Sequence, residues 1–216
     1  MSLMKRFNVH SIREAIRRLQ LKHTDTFVEI GAGNGDGLAA LFDMDKASSL
    51  TQSKMPQRVV LIEISEPFRE KLHKLIEQAN SDTAHIEIHS EDCVSMPYLN
   101  DNSVNKIFGF NLVYFLHPLD TYLQEMKRVL KPGGMVVFGC KFGSLPKEGE
   151  TKEFVNTNRN EICAALSRQG FDVTMNKVVV DKENEMSNYI EIVGMKPFDV
   201  AEWERQNLVA VMESSQ

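Results

Sequence analysis

The chain has only three cysteines, a single tryptophan, no long apolar run and no surplus of positive charge. Each shortage removes a class of protein. Cys93, Cys140 and Cys163 lie far apart and form no C-x-x-C pair. A zinc ribbon or disulfide framework is therefore not expected, and the thiols read as free in a reducing compartment. His10, His23, His73, His85 and His89 show no metal-ligand spacing, so no metal is expected. No stretch approaches the roughly 18 apolar residues of a transmembrane helix. A formal charge of −5 weighs against a broad nucleic-acid footprint, which normally comes with a basic domain. What remains is a 216-residue chain, 42% hydrophobic and 25% charged, without repeats or low-complexity segments. That is enough for one domain with a substantial core.

What is present is organised around Val28-Glu29-Ile30-Gly31-Ala32-Gly33-Asn34-Gly35-Asp36-Gly37. A short apolar run over about 26–30 reads as a buried strand, and a helix is expected over about 36–44. Strand, glycine turn and helix together aim backbone N–H groups and a helix N-terminus at a ligand. Further strands are expected over about 58–64, 84–88, 106–110 and 135–140. Helices alternate with them, the last over about 152–168. Two closing strands, about 171–180 and 188–195, have only a polar turn between them and should pair antiparallel. The expected fold is α/β: a Rossmann-like, doubly wound, seven-stranded sheet, mostly parallel with an antiparallel C-terminal hairpin strand. Residues 1–25 read as an N-terminal capping helix (about 9–22), 26–196 as the main domain and 197–216, with Trp203, as a tail helix. The N-terminal segment carries Lys5, Arg6, Arg13, Arg17, Arg18 and Lys22 against Glu14 alone. It reads as a capping helix of a cytoplasmic protein, with a mitochondrial presequence as the other reading.

Ligands in such sheets sit beyond the carboxyl ends of the strands, where strand order reverses. That places the glycine turn, Glu63, Glu91-Asp92 and Asn111 on one rim. The spacing is G-x-G-x-G, and Asp36 stands where a dinucleotide fingerprint has its third glycine. A carboxylate there repels a diphosphate, which weakens a nicotinamide reading. Glu63 can take both hydroxyls of a ribose, Asp92 can accept from an exocyclic amine, and Glu29 with the glycine backbone can face an amino-acid end. Those three moieties together describe S-adenosylmethionine.

At these residues the chain resembles the class I S-adenosylmethionine-dependent methyltransferases, in the branch of the ubiquinone/menaquinone-biosynthesis and small-molecule (methyltransferase type 11) enzymes. Residues 28–35 are similar to the family's first motif. Leu61-Ile62-Glu63-Ile64-Ser65 is similar to its second, and Ser90-Glu91-Asp92-Cys93 with Met96-Pro97-Tyr98 to its third. Arg128-Val129-Leu130-Lys131-Pro132-Gly133-Gly134 resembles the turn before its fifth strand. Val104-Asn105 stands where the family often has Phe-Asp. Asn111-Leu112-Val113-Tyr114 is not the Asp/Asn-Pro-Pro-Tyr/Phe segment of base-amino methylases.

The resemblance implies in-line methyl transfer from S-adenosylmethionine to a small-molecule acceptor. The implied cofactor residues are Glu29, Gly31, Ala32, Gly33, Gly35, Glu63, Ile64, Glu91, Asp92, Cys93, Asn111 and Leu112. His117 and Tyr114, just after the fourth strand, are the catalytic candidates. The competing readings are an inactive cofactor-binding partner subunit, an RNA or protein methyltransferase using the basic N-terminal helix, and an NAD-dependent reductase. A monomer or homodimer is expected.

Overall fold

The structure is a computed structural model that describes residues 3–47, 55–79, 84–145 and 152–198. The tail helix expected around Trp203 lies outside the described residues. Five α-helices are described: α1 (Leu3–Arg18), α2 (Asp36–Lys46), α3 (Glu66–Ala79), α4 (Leu119–Val129) and α5 (Arg159–Arg168). The seven strands are β1 (Thr26–Ile30), β2 (Arg58–Ile62), β3 (His85–His89), β4 (Val104–Phe110), β5 (Leu130–Cys140), β6 (Asp172–Val178) and β7 (Tyr189–Met195).

The strands form one sheet in the order β3-β2-β1-β4-β5-β7-β6. β1 to β5 are mutually parallel, and β7 runs antiparallel between β5 and β6. The chain winds outward from β1 to β3 and then returns to the other side of β1 at β4. The crevice of the sheet therefore opens at the carboxyl ends of β1 and β4.

Side-chain alternation explains the unbroken apolar runs. Val28, Ile30, Val60, Ile62, Ile107 and Phe138 pack in one core with Leu123 and Met126 of α4 and Ile162 and Leu166 of α5. Phe27, Val59, Leu61 and Phe108 pack in the other with Ile16 of α1, Leu38 and Leu41 of α2 and Leu72 of α3. Both faces are covered, so both sets of alternating residues are apolar. Two acids break this rule. Glu29 and Glu191 are buried, at 4% and 5% exposure.

Three expected boundaries move. α1 covers 3–18 instead of about 9–22. Gln20 turns the chain with φ 50°, a left-handed stop made without glycine. β5 begins at Leu130, before the turn that was expected to precede it. Val104 pairs with Leu130 and Lys106 with Met135, so Lys131-Pro132-Gly133-Gly134 forms a wide bulge inside the strand. That bulge is held by Gly133 N–H to the Lys196 carbonyl and Lys196 N–H to the Gly134 carbonyl, both 2.8 Å. α5 starts at Arg159 rather than near 152. The Val155 and Asn156 amides are spent on the Tyr114 carbonyl, at 2.9 and 3.3 Å, and the Asn158 side chain caps the helix by accepting from Asn160 N–H at 3.0 Å.

α1 is tied to the far end of the chain. Ser11 Oγ donates to the Ser187 carbonyl at 2.7 Å, and Arg18 forks onto Glu191 of β7 at 3.0 and 2.7 Å. The Glu191 side chain is 7% exposed, so losing its partner leaves a charge inside the sheet. Among the described residues, no helix is long and apolar enough to cross a membrane. Arg18→Ala is expected to lower unfolding free energy by ~1–3 kcal/mol in urea titration. Arg17→Ala, which removes an exposed pair with Glu14, is expected to cost less than ~0.5 kcal/mol.

Candidate active site

Between β1 and α2 the backbone makes a glycine turn with Gly31, Gly33 and Gly35 at φ 68°, 55° and 80°. Only glycine holds this left-handed conformation without strain. Gly31 N–H donates to the Ile62 carbonyl at 2.8 Å, tying the turn to the end of β2. Glu63 completes the tie. Its Oε2 accepts from Gly33 N–H at 2.8 Å and its Oε1 from Ser65 N–H at 2.9 Å. Each carboxylate oxygen keeps a lone pair for a further donor. Arg69 braces the same corner by donating to the Glu63 and Ile64 carbonyls at 3.0 and 2.7 Å. Ile64 then stands 71% exposed, a large apolar side chain on the rim with nothing over it.

Beneath the turn lies Glu29. Its Oε2 is buried and has no hydrogen-bond partner. Burial pushes its carboxyl up to about 8, and the Asp36 and Glu63 carboxylates add to the shift. Gly37, in the first turn of α2, makes room for it. A Cβ at Gly37 would overlap the Glu29 carboxyl oxygens. Sequence reasoning saw Gly37 within the glycine repeat but gave it no role.

The other strand ends supply the rest of the rim. At β3, Asp92 is exposed and Cys93 buried. Asp92 Oδ2 accepts from Tyr122 Oη at 2.8 Å, and Oδ1 from Val94 N–H at 3.0 Å. Glu91 is exposed with its carboxylate 3.8 Å from His89, whose ring stacks on Tyr98 at 3.5 Å. Burial pushes the Cys93 thiol up to about 12, with Asp92 adding to the rise. At β4, Asn111 takes φ 54°, and its N–H donates to the Gly139 carbonyl at 2.8 Å. Leu112 lies over the turn, with Cδ1 placed 3.0 Å from where a Gly31 Cβ would stand. Ala32 is buried within the turn.

The two catalytic candidates are placed differently. Tyr114 is 2% exposed. Its Oη donates to Asn111 Oδ1 at 3.3 Å and accepts from Lys141 N–H at 2.5 Å. Burial pushes the hydroxyl far above its ordinary value. Phe115, Phe142 and Phe154 surround the ring at centroid distances of 6.2, 5.6 and 6.1 Å. Asn156 locks the same loop by donating to the Val113 and Leu116 carbonyls at 2.8 and 2.7 Å. His117 is exposed just before α4 and joins none of these bonds.

The structure thus ties Glu63 directly to the glycine turn, lays Leu112 over it and couples Asn111 to Tyr114. Asp36 and Glu63 make this part of the rim acidic, with the protonated Glu29 beneath them. Such a rim favours a cationic ligand and repels phosphate. Tyr122, Asn156 and Lys141 were not found from the sequence, because each acts through a partner distant along the chain. Among the described residues no group of three or more His, Cys, Asp or Glu side chains is placed to hold a metal ion.

A family model described as a methyltransferase domain matches residues 28–138. No curated protein matches the sequence. Among solved structures, the chain is similar to one in the complex between the Haloferax volcanii Trm112 methyltransferase activator and the putative methyltransferase. The two share 19% identity over 90% of this chain and 92% of that one, with a TM-score of 0.70. It is similar to a SAM-dependent methyltransferase from Aquifex aeolicus at 22% identity, covering 86% and 89%, with a TM-score of 0.63. It is also similar to a putative S-adenosyl-L-methionine-dependent methyltransferase from Methanococcus maripaludis at 22% identity, covering 92% and 89%, with a TM-score of 0.64.

The raised Glu29 carboxyl sets a pH dependence. The folded state holds this proton up to about 8, against an ordinary value of 4.5. Its contribution to stability is therefore complete below about 4.5 and is lost as pH rises through 8. Glu29→Gln is expected to remove about 1–3 kcal/mol of the decline in unfolding free energy between pH 5 and pH 9, followed by urea titration. Gly37→Ala is expected to destabilise by ~1–3 kcal/mol at any of these pH values, and Glu29→Ala in the same chain to recover part of the loss.

Proposed function

The chain belongs to the methyltransferase-domain family, with S-adenosylmethionine as its methyl donor, and from that premise we propose that it methylates a small-molecule acceptor. The observation that carries the site assignment is the buried, unpartnered Glu29 oxygen under a turn of left-handed glycines. An ammonium group over the turn would satisfy that oxygen and favour the ionised carboxylate. Gly31, Ala32, Gly33 and Gly35 then present backbone to the amino-acid end. The free lone pairs of Glu63 take the ribose hydroxyls. Ile64 covers one face of the adenine. Asp92 accepts from its exocyclic amine, with Glu91 beside it and Cys93 forming the apolar floor. Asn111 and Leu112 close the side nearest the methyl group.

The bound sulfonium supplies an electrophilic methyl group, which bonds to the acceptor nucleophile as its bond to sulfur breaks and that electron pair stays on sulfur. The protein's share is alignment and exclusion of water. Tyr114 serves this as a positioning residue. Its hydroxyl is committed to Asn111 and Lys141, and it fixes the loop that faces the reacting atoms. His117, exposed at the mouth, is assigned to take the acceptor's proton when the nucleophile carries one.

Calorimetry with S-adenosylmethionine is expected to show saturable binding and NAD(H) none. Glu63→Ala and Asp92→Ala are each expected to weaken binding by ~1–3 kcal/mol, because each leaves a donor of the site unpaired. Unchanged affinity in both variants would refute the assignment, and heat from NAD(H) alone would refute the premise.

A further inference from the structure

A cleft of about 470 Å³ opens at the carboxyl end of β5 and the mouth of the β6–β7 connection. Lys141, on its wall, links it to the rim already described, its N–H donating to Asn111 Oδ1 at 3.1 Å and to Tyr114 Oη at 2.5 Å. The volume falls within the range of about 300–1,000 Å³ usual for small-molecule sites.

Its chemistry is opposite to that of the cofactor rim. Lys141, Arg159 and Lys177 line it, against the single carboxylate of Glu185. This concentration of cations occurs in a chain of net charge −5. Arg159 is unusual in the molecule. The described arginine side chains Arg13, Arg17, Arg18, Arg58, Arg128 and Arg168 each have a carboxylate partner. Arg69 is held by two carbonyls. Arg159 has neither kind of partner among the described residues. It is also the first residue of α5, where the helix dipole disfavours a cation and favours an anion. Lys177, at the end of β6, has no ion-pair partner among the described residues. The Lys141 amine donates to the Met186 carbonyl, at 2.6 Å, has no ion-pair partner among the described residues, and is brought down to about 8 by burial. Phe142, Met186 and Ile190 provide apolar wall between these charges.

We propose that this cleft is the acceptor site and that it selects a small acceptor with an apolar body and an anionic group, gripped by Lys141, Arg159 and Lys177. This rests on the methyl-transfer reading of the neighbouring rim. An anion completes three cations that have no carboxylate partner among the described residues, and the nucleophile end of the same molecule reaches toward Asn111 and Tyr114. Carboxylate and phosphate share this chemistry.

The test uses the full chain saturated with S-adenosylhomocysteine, and binding of three probes of one shape: 4-hydroxybenzoate, 4-hydroxyphenyl phosphate and neutral 4-hydroxybenzamide. At least one anion is expected to bind about tenfold or more tightly than the amide, and the better of the two identifies the group. Arg159→Glu and Lys177→Glu, both at exposed positions, are each expected to weaken that anion by about tenfold or more and to leave S-adenosylhomocysteine affinity unchanged. Equal binding of the amide, no binding of either anion at millimolar concentration, or indifference to both charge reversals would overturn the proposal. Loss of S-adenosylhomocysteine binding by the unaltered chain would instead overturn the methyl-transfer reading on which it rests.

Discussion

Both faces of the central sheet are covered by helices, so a charged side chain inside it must be paired, neutralised or placed at a strand end. The molecule uses all three solutions. Glu191 is paired, taking the two-pronged contact of Arg18. Glu29 is neutralised, holding its proton to about 8 for want of a partner. Glu63 stands at a strand end, where backbone donors from two loops converge on it. The same constraint drives the chemistry to the carboxyl rim, because nowhere else in the layered core can polar groups meet a ligand.

The rim divides by charge. On the β1–β2 side it carries Asp36 and Glu63 above the protonated Glu29 and suits a cation. Past β5 it carries Lys141, Arg159 and Lys177. A chain of modest net negative charge thus contains two local fields of opposite sign. Net charge alone reports neither, since it averages over a surface whose functional parts are a few side chains wide.

The unbroken apolar runs of β1 and β2 were legible in the sequence because burial on two faces removes polar alternation. The glycine turn was legible because its geometry is local: strand, left-handed residues and helix follow one another within a dozen positions. The start of α5 was not legible, since the Tyr114 carbonyl holds Val155 and Asn156 extended and only the fold brings that carbonyl near. Lys131-Pro132-Gly133-Gly134 read as a stop before β5, yet Lys196 keeps it within the strand as a bulge. The cleft was the least legible feature. Its cations come from β5, α5 and β6, and none forms a motif with its own neighbours. Tyr114 was singled out from its place just after β4, but its hydroxyl is consumed by the backbone of Lys141, which no local pattern announces.

The tie between Arg18 and Glu191 joins residues 173 positions apart, and the Ser11–Ser187 bond spans 176. β7 is the last described strand and is inserted between β5 and β6. The first helix is therefore fully seated only once β7 has entered the sheet. Closing so long a loop is entropically slow, and contacts of this span are characteristic of late folding events. The apolar stripe of α1, with Ala15, Ile16 and Leu19, shares one core with Leu38 and Leu41 of α2, and Tyr189 of β7 completes that core. Before β7 docks, α1 is thus a basic, amphipathic helix whose seat is incomplete, and the insertion of one strand finishes the packing of an element far upstream of it.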